Sequence, residues 1–115
     1  MRTRTASCTC GQLSVRCVGE PQKVSLCHCL DCQRRTGSTY GIAAFYLRDE
    51  VKAKGRANIF VRSSDSGHGV KFHFCPDCGS TVYWEPERKP ETIAVAVGSF
   101  ADPTFPAPTQ SVWNE

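Results

Sequence analysis

The sequence lacks any long apolar run. No stretch approaches the roughly 18 apolar residues of a membrane-spanning helix, and the segment before Cys8 has no apolar core of a signal peptide. We therefore expect a cytoplasmic protein that does not enter a membrane. In such a reducing compartment, clustered thiols bind metal more often than they pair as disulfides.

The sequence also lacks a run of Lys and Arg, or a basic strip interleaved with aromatic residues, of the kind that binds nucleic acid. Its formal net charge of +3 counts every cysteine as neutral. Seven cysteine thiolates holding two Zn²⁺ ions would bring that charge to zero. We therefore expect no nucleic-acid partner.

Cysteine, in contrast, is abundant, with eight residues among 115. A chain of this length fits one domain over residues 1–115 and buries enough apolar surface to fold without cross-links. The even number leaves a disulfide framework open as an alternative. However, three cysteines lie close together at Cys27, Cys29 and Cys32. This spacing suits thiolates that converge on one ion better than bridges that diverge to separate partners.

The apolar segments are short, alternating or rich in β-branched residues, and Gly, Pro, Ser or Asp separates them. This pattern predicts a mainly β domain, with one helical turn over Cys29–Thr36. The predicted strands are Gln12–Val18, Gly41–Leu47, Ala57–Arg62, Val70–Phe74, Thr81–Trp84 and Thr92–Val97. In the first of them Leu13, Val15 and Cys17 share one face, so Cys17 is predicted to be a core residue and not a ligand.

The first candidate metal site consists of four cysteines, Cys8, Cys10, Cys75 and Cys78. The last two flank a tight turn that brings their sulfurs together, and Gly79 tolerates the positive φ that such a turn requires. The first two share one side of a strand, because alternate residues point the same way. Together they predict a closed, structural Zn²⁺ site. A redox pair at the second turn is the alternative, although its usual βαβ context is missing.

The second candidate site consists of three cysteines, Cys27, Cys29 and Cys32. No fourth protein ligand is evident, because Asp31 is predicted to cap the following helical turn. Three ligands and an open position are typical of catalytic zinc, and the net charge of such a site suits a soft thiolate visitor. A second closed site, with His68 or His73 as fourth ligand, remains the alternative. Otherwise both histidines are predicted to be solvated.

Two adjacent arginines, Arg34 and Arg35, follow the three cysteines. They could offset the negative charge of the site and bind substrate carboxylates through paired hydrogen bonds. Such a pair is equally compatible with a solvated surface.

Three blocks of sequence carry a resemblance to a known family. They are Cys8-x-Cys10-Gly11, then Cys27-His28-Cys29-x-x-Cys32 running into Arg35-Thr36-Gly37-Ser38, and finally Phe74-Cys75-x-x-Cys78-Gly79-Ser80 followed by Tyr83-Trp84. In their order and spacing they resemble the glutathione-dependent formaldehyde-activating (GFA) proteins. The blocks span nearly the whole chain, and their combination is specific although each alone would not be.

The resemblance implies a zinc-containing β-tent fold, similar to that of a small chaperone of GTPases. It implies structural zinc at the four cysteines and catalytic zinc at the three. The implied activity is that of a carbon–sulfur lyase, which joins glutathione and formaldehyde as S-hydroxymethylglutathione or cleaves this adduct. The chain ends at Glu115, earlier than the relatives it resembles, so we expect a domain truncated at its C-terminal end or lacking part of its pocket there.

Two functions of different classes follow. The first is an enzyme that acts on a small thiol, such as glutathione, at the three-cysteine site. The second is a zinc-stabilised module that binds a protein partner without catalysis. An open coordination position on the second zinc would favour the enzyme, whereas two closed sites would favour the module.

Overall fold

The computed structural model describes residues 2–63 and 67–112. Within these ranges ten strands and one α-helix occur, which confirms the mainly β fold. The strands are β1 Thr3–Ser7, β2 Ser14–Val18, β3 Lys23–Cys27, β4 Gly41–Leu47, β5 Val51–Lys54, β6 Asn58–Ser63, β7 Gly69–Phe74, β8 Thr81–Pro86, β9 Thr92–Ala96 and β10 Gln110–Val112. The helix α1 spans Leu30–Thr36, and short 3₁₀ helices span Arg48–Glu50 and Val97–Phe100.

The strands form two sheets. The smaller sheet has the order β1-β2-β5, and the larger has the order β10-β3-β4-β9-β8-β7-β6. Neighbouring strands run antiparallel, apart from the parallel pair of β10 and β3. The chain leaves the smaller sheet after β2, forms β3 and β4 of the larger sheet, and returns to the smaller sheet with β5. The chain segments between these strands therefore connect the two sheets.

The main core lies between the two sheets. Val15 and Cys17 of β2 pack there with Ala44, Tyr46 and Val95 of the larger sheet. The alternation predicted for β2 is confirmed, because its two core residues are fully buried and Arg16 between them is exposed. Burial raises the pKa of the Cys17 thiol to about 12, as expected of a core cysteine in an apolar setting.

The opposite face of the larger sheet carries a second, smaller core. Phe72, Trp84, Ala94 and Ala43 form it, and the ring centroids of Phe72 and Trp84 lie 5.4 Å apart. Strand β9 contributes to both cores, which explains why four of its five residues are buried. The three-cysteine segment lies beside this second core.

Strand β6 forms one edge of the larger sheet. Its residues Ile59, Phe60 and Val61 are 53, 59 and 62% exposed. Alternate residues of a strand point to opposite faces, so this edge presents apolar side chains on both sides. Among the described residues, no helix combines the length and apolar character that a membrane crossing needs.

Candidate functional site

The four-cysteine site connects the two sheets. Cys8 and Cys10 lie in the connection from β1 to β2, and Cys75 and Cys78 lie in the turn from β7 to β8. All four sulfurs lie within 4.8 Å of one another. The Sγ atoms of Cys8 and Cys10, and those of Cys10 and Cys75, are 3.6 Å apart. Sulfurs 2.3 Å from a tetrahedral zinc would be about 3.8 Å apart, so the donors fit that ion.

Hydrogen bonds to Cys75 and Cys78 favour the thiolate form that a metal requires. The backbone N–H of Leu13 donates to Cys8 Sγ at 3.3 Å, and Gln12 Nε2 donates to Cys75 Sγ at 2.9 Å. The side chain and backbone of Ser80 lower the pKa of Cys78 to about 5. Gly79 has φ 81°, the positive value predicted for this turn.

The three-cysteine site is built from one short segment. Cys27 ends β3, Cys29 is the N-cap of α1, and Cys32 lies in the first turn of that helix. Their sulfurs lie within 4.8 Å of one another and are half-buried. The prediction that Asp31 caps the helix is wrong, because Cys29 Sγ accepts the Cys32 N–H at 3.3 Å. A sulfur that caps a helix is fixed in position, which suits a ligand.

The three thiols differ in how readily they ionise. Burial raises the pKa of Cys32 to about 12, with contributions from its hydrogen bonds to the other two sulfurs, and burial also raises the pKa of Cys27. The pKa of Cys29 is lowered, because hydrogen bonds from Cys32 outweigh burial, and Arg62 adds a favourable charge. Three thiolates in this space therefore need a cation to hold them together.

Among the described residues, neither sulfur group includes a histidine or a carboxylate. His73 is buried, contrary to the prediction that it is solvated: its Nε2 lies 2.6 Å from Glu85 Oε2, and its ring stacks on Tyr83 at 4.3 Å. His68 is exposed, as predicted, and its Nδ1 lies 3.8 Å from Glu87. Neither histidine belongs to the three-cysteine group. All eight cysteines are free of disulfides.

Two depressions flank the three-cysteine site. A groove of about 430 Å³ is lined by three arginines, Arg34, Arg35 and Arg62, together with Asp31 and a set of aromatic side chains. A smaller cavity of about 180 Å³ touches Cys27 and Cys32 themselves and has mostly apolar walls that include Phe45 and Trp84. Arg35 lines both depressions.

The two arginines predicted next to the site lie in different surroundings. The Arg34 side chain is 76% exposed, and its Nη1 lies 3.9 Å from Asp31 Oδ1. Arg35 is half-buried, with its guanidinium carbon 4.3 Å from the centroid of the Trp84 ring. Arg62, which the sequence did not indicate, reaches the same groove from β6, with its guanidinium carbon 5.0 Å from the Phe72 ring centroid. Only the pairing of β6 with β7 brings it there.

Comparison with known proteins gives a family and a fold. The family model described as "Glutathione-dependent formaldehyde-activating enzyme" matches residues 3–115. No curated protein matches the sequence. Among solved structures, the crystal structure of a Rhodobacter sphaeroides protein has a TM-score of 0.67 and 20% sequence identity, and the match covers 93% of this chain and 98% of that chain. At this identity the likeness is one of fold.

Proposed function

The chain belongs to the family of glutathione-dependent formaldehyde-activating enzymes, and from this premise we propose that it forms and cleaves a carbon–sulfur bond between a small thiol and a small aldehyde. Glutathione and formaldehyde are the pair that the family description names. One observation carries the proposal. Three half-buried sulfurs meet where a charged groove and an apolar cavity adjoin, with no fourth protein ligand among the described residues.

The proposal includes two Zn²⁺ ions per chain. Cys8, Cys10, Cys75 and Cys78 would hold the structural ion, and the three-cysteine group would hold the other. Bound at the three cysteines, Zn²⁺ would lower the pKa of an incoming thiol and hold its thiolate. The sulfur-only donor sets and their spacing support zinc over harder metals such as Mg²⁺, which prefer oxygen ligands.

The proposed reaction is an addition without change of oxidation state. The thiol gives up its proton, its sulfur attacks the carbonyl carbon to form the carbon–sulfur bond, and the carbonyl oxygen takes up a proton. The reverse reaction breaks the same bond and is the lyase. The cavity beside Cys27 and Cys32 has apolar walls, which would keep water away from the carbonyl group and fix its approach to the sulfur.

The groove would hold the remainder of the thiol substrate. Its volume of about 430 Å³ is in the range of small-molecule sites. Three arginines and one carboxylate line it, so it favours an anionic ligand, and guanidinium groups bind carboxylates in pairs of parallel hydrogen bonds. Glutathione carries two carboxylates, so we propose that Arg34, Arg35 and Arg62 contribute to its binding.

The experiment that tests this function follows each metal site separately. Protein reconstituted with cadmium should give two cadmium NMR signals, and glutathione should shift only the one that Cys29→Ser removes. S-methylglutathione lacks a free thiol and is the matched control, so it should leave both signals in place. Wild-type protein should also speed the exchange between glutathione, formaldehyde and their adduct, whereas Cys29→Ser should not. Two signals that ignore glutathione, with no acceleration, would refute the proposal.

The alternative of a protein-binding module has one observation in its favour. The apolar side chains of Ile59, Phe60 and Val61 are exposed on the edge strand β6, and sheet edges can receive a strand from another protein. The cadmium experiment separates the two functions, because a module needs no open coordination position.

A further inference from the structure

Arg35 contacts more of its surroundings than its neighbour Arg34 does. Its guanidinium carbon lies 4.3 Å from the centroid of the Trp84 ring and 5.9 Å from that of Phe72. Both distances are within the reach of cation–π attraction, which is worth more where water is excluded. Arg34, one residue earlier, extends into solvent. The arginine side chain at 35 is therefore held on an aromatic platform.

The same guanidinium reaches the sulfur site. Cys32 lies one helical turn before Arg35 on α1, and the side chains of Cys27, Cys32 and Arg35 line the same small cavity. The Nη2 of Arg35 occupies the space above Gly41, where a Cβ atom would come within 2.6 Å of it. Gly41 pairs with Cys27 across β3 and β4. The absence of a side chain at Gly41 thus leaves room for the cation directly beside two of the three cysteines.

We infer that Arg35 is a positioning residue of the three-cysteine site, which places a fixed positive charge beside Cys27 and Cys32 and balances the charge of the thiolates from the platform of Trp84, Phe72 and Gly41. This inference rests on the proposed function, in that the three cysteines bind a metal ion. Three thiolates around a divalent ion leave one negative charge in a partly buried place, and a fixed guanidinium offsets it.

The test measures metal affinity at both sites of the same protein. Cobalt bound to thiolates gives charge-transfer absorption, so a competition with a chelator reports the affinity of each site in turn. Removing groups that support a metal ligand commonly lowers metal affinity about 10–100-fold. We expect Arg35→Gln to do this at the three-cysteine site and to leave the four-cysteine site unchanged, with a smaller fall for Arg35→Lys, which keeps the charge.

Two further variants control for the geometry. Arg34→Gln removes a neighbouring charge without touching a sulfur, so cobalt affinity should stay within about twofold of wild type, since exposed charges interact weakly. Gly41→Ala leaves Arg35 in the chain but displaces its guanidinium, so it should weaken the three-cysteine site. Combined with Arg35→Gln, it should add little, because both changes remove one interaction.

The results that overturn the inference are definite. The inference is wrong if Arg35→Gln leaves the cobalt affinity of the three-cysteine site unchanged, or if Arg34→Gln lowers that affinity as much as Arg35→Gln does. It is also wrong if Gly41→Ala leaves that affinity unchanged. If Arg35→Gln fails to fold, Arg35→Lys and Gly41→Ala decide in its place. The proposed function fails separately, when wild-type protein binds cobalt at the three cysteines but its absorption ignores glutathione.

Discussion

The two cysteine groups differ most in the length of chain that they connect. Cys8 and Cys75 belong to different sheets and are separated by 66 intervening residues, whereas the three-cysteine group lies within one segment from β3 into α1. A cross-link that closes a long loop removes more freedom from the unfolded chain than one within a short segment, by about 0.6 kcal/mol for each doubling of the loop length. On the proposed function, metal binding would therefore contribute to folding at the first site, and at the second it would be available for chemistry.

Replacing Cys75 by Ser is the strongest test of this contrast. Structural zinc contributes on the order of 10 kcal/mol or more in small zinc-binding peptides, which is comparable to the whole stability of a domain. We expect Cys75→Ser to be largely unfolded or insoluble, as seen by circular dichroism and by metal analysis. A soluble variant that melts cooperatively near the wild-type temperature would remove the distinction between the two sites.

Cys29→Ser should behave differently. It removes one proposed ligand, while the Ser hydroxyl can still cap α1, a helix of seven residues that buries none of them fully. We expect loss of one zinc per chain while a cooperative melting transition is retained, with little cost in stability from the helix cap because Ser is a favoured N-cap residue. Zinc analysis and thermal melting on the same sample check this. An unfolded Cys29→Ser protein would mean that both sites are structural.

Much of the difference between the two cysteine groups can be predicted from the sequence, because it depends on local patterns. The strand β4 was predicted with its observed bounds, and β2, β6, β7, β8 and β9 were predicted within two residues at each end. Both cysteine groups follow from their spacing. Four strands were not predicted, namely β1, β3, β5 and β10. Strand β1 is rich in polar threonine, arginine and serine residues, and β3 is a short segment directly before the cysteines.

The surroundings of the second site could not be predicted, because they come from distant strands. Arg62 reaches the groove only through the register of β6 on β7. The sequence alone does not distinguish the surroundings of Arg35 from those of Arg34, because Trp84 and Gly41, which lie beside Arg35, belong to other strands. His73 looked solvated from its place between two aromatic residues, but Glu85 on the paired strand holds it. Local spacing determines which cysteines come together, whereas tertiary contacts decide which side chains surround them.

The variant Gln12→Ala tests how much a hydrogen bond to the four-cysteine site contributes to stability. Gln12 Nε2 donates to Cys75 Sγ at 2.9 Å and to the Arg56 carbonyl at 2.8 Å, and its Oε1 accepts the Arg56 N–H at 3.0 Å. A hydrogen bond to a charged sulfur is worth about 1.5–3 kcal/mol. We expect a loss of about that size in the free energy of unfolding, measured with denaturant, with two zinc ions retained. A change below about 0.5 kcal/mol in the free energy of unfolding would mean that solvent screens the contacts of Gln12 and that they add little to stability.

The double variant Arg34→Gln/Arg62→Gln tests the groove and spares Arg35. If these arginines bind carboxylates of the thiol substrate, glutathione affinity should fall by about 1–3 kcal/mol, the range for charge-assisted hydrogen bonds. Calorimetry should show this, and cysteamine, a thiol without carboxylates, is the control whose affinity should change little. Zinc content should be unaffected. Equal glutathione affinity in both proteins would place the two arginines on a solvated surface.

The smallest expected effect is at Cys17, the cysteine that belongs to neither group. It is fully buried, and its pKa of about 12 lies above the value near 8.5 of a thiol in an unfolded chain. A raised folded pKa means that its contribution to stability is fully present below about pH 8.5 and is lost as the pH rises toward 12. At neutral pH the zinc-loaded protein should therefore react slowly with iodoacetamide, and Cys17→Ala should keep two zinc ions at a cost of about 1 kcal/mol from lost packing. Rapid labelling would contradict the burial of Cys17. Loss of one zinc in Cys17→Ala would make it a fourth ligand, and the second site would then be as closed as the first.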